Sequence, residues 1–90
     1  MNILNGRQWS LDTPGTVWTR EVKILQVFFT GYGQATDVAT LQNLEGTMVI
    51  NLKGTADLQE VRTGAFGWVH GLILASLTPA TTGKVIVDVL

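Results

Sequence analysis

The stretch GAFGWVHGLILASL, residues 64–77, decides the fold. It holds the single histidine, His70, and contains no Asp, Glu, Lys or Arg. Its apolar part, 65–77, is 13 residues long, short of the about 20 that cross a bilayer. No membrane-spanning segment is therefore expected. Helical spacing would group Phe66, Val69, Ile73 and Leu77. Gly67 and Gly71 would each cost such a helix up to about 1 kcal/mol relative to Ala. As a strand, Phe66, Trp68, His70, Leu72 and Leu74 point one way, and Gly67, Val69, Gly71, Ile73 and Ala75 the other. One large face and one small face suit a strand packed on both sides, and we read 64–77 as a strand.

The rest of the chain agrees. Twelve Thr, ten Val and five Ile give 27 β-branched residues among 90, and these suit a pleated, half-buried surface. Ten glycines and two prolines punctuate short segments. EVKILQVFFTGYG (21–33) carries Val22, Ile24 and Phe28 on one face and Leu25, Val27 and Phe29 on the other, which predicts a central strand covered on both sides. ATLQNLEGTMVINLKG (39–54) reads as a hairpin. A two-residue Glu45-Gly46 loop would gather Ala39, Leu41 and Asn43 with Met48, Ile50 and Leu52 on one side. A type I′ turn wants Asn, Asp or Gly where Glu45 stands, so a longer loop with Gly46 left-handed competes and would shift the register. TADLQEVRTG (55–64) reads as an exposed loop or one helical turn. KVIVDVL (84–90) is a closing strand, joined to 64–77 through TPATTG as a hairpin.

These elements predict an all-β fold: a small β-sandwich or β-barrel of about six to eight short, mostly antiparallel strands. We divide the chain into an N-terminal arm with short extended segments, 1–20, and a single β domain, 21–90. In the arm, TPGT (13–16) places Pro and Gly as a type II turn requires. The start, MNILNGRQWSLDTPG, has no basic region followed by an apolar one, so no signal peptide is expected.

Little chemistry is offered. The absence of cysteine excludes disulfides, thiolate nucleophiles and Cys-based zinc sites. One histidine cannot make a His-rich metal centre, and no spacing joins it to Asp37, Asp57 or Asp88. It reads as a structural histidine beside Trp68, or a pH switch if it lies in an interface. Ser10 and Ser76 lie outside any nucleophile elbow. Asp57 and Glu60 read as solvation. GYGQAT (31–36) begins like a dinucleotide fingerprint but has Thr36 where the third glycine belongs, so it reads as a turn. The expectation is no enzyme, no cofactor, no metal site and no catalytic residue.

The net charge of −1 and six scattered basic residues give no field that would draw nucleic acid or anionic lipid. Charged residues are only 14% of the chain, so the surface is largely neutral or covered by partners. Among the aromatics, Phe28, Phe29, Phe66 and Trp68 read as core. Trp9 and Trp18 either plug the core or anchor a partner, since Trp is enriched at interface hot spots.

The segments VKILQVFFTGYG, LQNLEGTMVINLKG, HGLILASL and GKVIVDVL resemble small structural proteins encoded near capsid genes in tailed bacteriophages. The acidic or Pro-rich N-terminal segment of some decoration proteins is absent. The resemblance implies a non-enzymatic head-decoration (cement) or minor virion protein on the capsid surface. Its partners would be the major capsid protein or other virion subunits, and it would form a dimer or trimer. The candidate contact residues are Trp9, Trp18, Val85, Val87 and Val89, through arm exchange or strand addition. The alternatives are a carbohydrate-binding β-sandwich using Trp9, Trp18 or Tyr32, and a single-stranded nucleic-acid binder.

Overall fold

A computed structural model describes residues 2–34, 36–47, 49–54, 61–64, 67–78 and 83–90. Within them the chain is all-β: β1 (Ile3–Asn5), β2 (Gln8–Leu11), β3 (Gly15–Thr30), β4 (Val38–Gln42), β5 (Val49–Lys53), β6 (Val61–Thr63), β7 (Gly67–Leu77) and β8 (Lys84–Val89). All pairings are antiparallel, in the order β1-β2-β8-β3-β7-β4-β5, with β6 also on β3.

The organising element is β3, 16 residues long. From Gly15 to Ile24 it pairs with β7. From Ile24 to Thr30 it pairs with β8, and around Phe28 also with β6. The two flanks, β8-β2-β1 and β7-β4-β5, thus hang from one strand. Their inner faces meet in one apolar cluster that joins Trp9 and Leu11 to Ile24, Phe29, Leu41, Leu52, Leu74 and Val87.

Alternation along β3 is interrupted. Its register with β7 shifts between Thr16 and Trp18 and between Trp18 and Glu21. Its register with β8 shifts between Ile24 and Gln26. An inserted residue moves every later side chain to the other face. Val22 and Ile24 accordingly point inward before Leu25, and Val27 and Phe29 after it. The expected strand with two covered faces is corrected: one face is covered, Leu25 is exposed and Phe28 is half-buried.

β7 is a strand, as expected, but its two faces are not those of strict alternation. Val69 faces in, and so do Leu72 and Leu74. The slip occurs at Gly71, where φ is +78°, a conformation that glycine adopts without penalty. A second shift, against β4 near Ala75, brings Leu77 inward. Trp68, expected in the core, is 64% exposed. Phe66 lies outside the described residues.

The β4–β5 hairpin has the register expected from its apolar pattern, with Ala39 opposite Leu52 and Leu41 opposite Ile50. The strands stop at Gln42 and Val49, so the connection is the longer loop, but without the register shift expected of it. The Gly46 N–H donates to the Asn43 carbonyl at 3.1 Å, and Gly46 sits at φ +73°.

Three other expectations are corrected. The arm is not separate. β1 and β2 belong to the sheet and β3 runs through residue 20, because Trp9 and Leu11 bury themselves against the same core. The Asn2 side chain ties this end down, donating to the Thr13 carbonyl and accepting from the Asp12 and Thr13 N–H groups. Part of 55–64 is strand, since Val61–Thr63 forms β6; 55–60, including Asp57 and Glu60, lie outside the described residues. Finally, β7 and β8 do not form a hairpin, because β3 lies between them. At TPGT the chain bends at Thr13 and Gly15 takes a positive φ of 139°. The described residues of GYGQAT lie outside the strands, and the Asp37 carboxylate accepts the N–H groups of Gly33 and Gln34, each at 2.9 Å.

A candidate interaction face

The residues expected to meet a partner lie mainly inside. Trp9, Val85, Val87 and Val89 belong to the buried core. β8 is also no edge, being paired with β2 and with β3, so strand addition there is closed. Trp18 is half-buried, with its ring 5.0 Å from that of Trp9 and the Arg20 guanidinium 5.1 Å from its centre. Its Nε1–H is buried without a hydrogen-bond partner, a cost of about 1–3 kcal/mol. Tyr32, a candidate sugar platform from sequence, is buried and stacks on Phe29.

The exposed apolar surface is elsewhere. Lys23 is directly opposite Trp68 on β7, and on its other side its carbonyl accepts the Leu90 N–H at 3.0 Å. Ile24 and Val89, the next pair along, point inward. The pleat therefore turns Leu90, Lys23 and Trp68 outward as one row across three strands. Trp68 is 64% exposed, Leu90 60% and Leu25, beside them on β3, 38%. The next row carries Glu21 opposite His70. The result is an exposed face on which apolar and charged side chains lie side by side. Sequence reasoning missed it because Trp68 looks like core in an uncharged run; only the slip at Gly71 shows that its face turns outward.

His70 is fixed by the β4–β5 loop. Leu44 donates its N–H to the His70 carbonyl at 3.0 Å. The Leu44 side chain occupies the space where a Cβ on Gly71 would stand. Glu45 Oε1 lies 2.5 Å from His70 Nδ1. This hydrogen bond, with the Glu45 charge and a smaller contribution from Glu21, holds the imidazole above its ordinary pKa near 6.5. The same bond holds the Glu45 carboxyl below its ordinary 4.5. His70 thus contributes stability in full below pH 6.5 and loses it as the pH rises through its raised value. Glu45 contributes above pH 4.5 and loses it as the pH falls through its lowered value. The pair is strongest between the two. In an NMR titration, Glu45→Gln should bring the His70 pKa back down towards 6.5. An unchanged His70 titration would show that the pair does not form in solution.

Among the described residues no enclosed cavity is present, and no group of three or more His, Asp or Glu is placed to hold a metal ion. No helix among them is long and apolar enough to cross a membrane. No family model, curated protein or solved structure matches the chain.

Proposed function

We propose that this chain is a non-enzymatic structural protein of a phage virion, a capsid decoration or cement protein that bridges coat subunits through the face centred on Trp68. The observation that carries the docking role is the exposure of Trp68 beside Leu25 and Leu90 on one outward sheet face. A tryptophan ringed by charged side chains is the usual form of an interface anchor, because partner contact removes its large apolar surface from water while the margin excludes solvent. The virion setting is supported by the resemblance of the segments that form β3, the β4–β5 hairpin, β7 and β8. Modest contacts suffice for such a role, since a symmetric lattice repeats them and avidity multiplies them.

The test is sedimentation of a native source lysate through a density gradient, following the chain by mass spectrometry. It should peak with a large particle containing one abundant coat-sized protein. Trp68→Ala should leave the particle fraction while remaining folded, because an exposed side chain away from the core changes stability by no more than about 0.5 kcal/mol. A wild-type chain confined to the small fractions would sink the virion role. A glycan platform is the second reading, favoured by the hydrogen-bonding Glu21 and Glu45 near the exposed Trp68 ring. Quenching of Trp68 fluorescence by an oligosaccharide would select it.

A further inference from the structure

The two rows of this face carry opposite charges in adjacent places. Lys23 and Trp68 form one pair across β3 and β7, and Glu21 and His70 form the next. Lys23 and Glu21 are two residues apart on the same side of one strand, so they stand about 7 Å apart along it. A two-fold axis lying in the plane of the face, across the strands and between the rows, exchanges them. It sets Lys23 against Glu21 of a second copy, and Trp68 against its His70, each contact occurring twice. The face is therefore complementary to itself in charge and in the order of its rings, the requirement for an isologous interface.

We propose that the Trp68 face binds the same face of a second copy of this chain, sheet on sheet, with Lys23–Glu21 and Trp68–His70 as the reciprocal contacts. This rests on the docking role above for the choice of anchor: a second copy and a coat subunit compete for the one face, so the dimer is the free form and the chain docks on a particle as a monomer. Two sheets pack in this way about 10 Å apart with strands nearly aligned. The ionic pairs fix the register, since a shift by one row opposes Lys23 to Lys23 in one direction and Glu21 to Glu21 in the other. Aromatic contact at both ends supplies the anchor. A standard interface uses about 800 Å² per partner, roughly a sixth of the chain's 5031 Å² surface. With Trp68 as the apolar anchor of the interface, the expected dimer is of micromolar strength.

The experiment is sedimentation equilibrium on the purified full chain, with thermal unfolding to verify that each variant is folded. The wild type should show a monomer–dimer equilibrium. Lys23→Glu and Glu21→Lys should each weaken it at least about tenfold, because each places two like-charged pairs in the interface. The double variant K23E/E21K restores opposite charges and should return to within about threefold of wild type. Trp68→Ala should leave only monomer. A wild type that stays monomeric at high micromolar concentration overturns the proposal. So does a dimer unaffected by either charge reversal, or a double variant no better than the singles. These outcomes concern the purified chain alone, so they are separable from the gradient result: a chain that rides on particles yet never dimerises retains the docking role and loses the self-pairing.

Discussion

Gly71→Ala should destabilise the fold by about 2–6 kcal/mol, far more than one added methyl group costs at an ordinary strand position. Two penalties add. At φ +78° an L-residue pays about 1–3 kcal/mol. A Cβ there also runs into the Leu44 side chain, and overpacking of this kind costs a further 1–3 kcal/mol. For a domain of this size, with about 5–13 kcal/mol of total stability, the loss is visible as a large fall in the urea midpoint at unchanged slope. Gly46 is the natural control. It has a similar φ of +73°, but a Cβ there meets nothing within 4 Å, so Gly46→Ala pays only the backbone penalty. Adding Leu44→Ala to Gly71→Ala should recover part of the difference, a coupling between two touching residues. Equal losses at Gly71 and Gly46 would mean that Leu44 does not press on β7.

The same glycine shows what a sequence can and cannot disclose. The β4–β5 register was legible because Ala39, Leu41, Ile50 and Leu52 keep a period of two through both strands, and only one register gathers them. Burial confirms it, since all four lie in the core. The faces of β3 and β7 were not legible. Both are apolar on consecutive residues, and a bulge leaves no mark in such a run, because the residue that slips is as apolar as its neighbours. Three register shifts in β3 and the slip at Gly71 decided which side chains were buried. Trp68 leaves its expected place for this reason and is on the surface, while Trp9, open in the sequence between core and partner contact, is core. The contact between His70 and Glu45 was equally hidden. It joins residues 25 positions apart, brought together only when the loop after β4 folds over β7.

Phe29→Ala should cost about 3–5 kcal/mol, the usual loss for a fully buried phenylalanine, whereas Phe28→Ala should cost about 1 kcal/mol. The two residues are chemically identical and adjacent; the register shift between Ile24 and Gln26 separates them. Without that insertion, Phe28 would share the inward face with Val22 and Ile24. With it, Phe29 has no exposed surface and Phe28 is half-buried. Phe29 also supports more than itself. Its ring stacks on Tyr32 at 4.8 Å, and Gly54 stands against the same Tyr32 ring, where a Cβ would strike both the ring and the Gln34 carbonyl. Removing Phe29 takes that stacking contact from Tyr32, whose movement into the gap is limited by its tight fit against Gly54. The loss should therefore fall in the upper part of the range. Urea denaturation of the two variants gives the comparison. A loss at Phe28 equal to or greater than that at Phe29 would restore strict alternation through Leu25. The outward row would then be wrong, and the interaction face built on it with it.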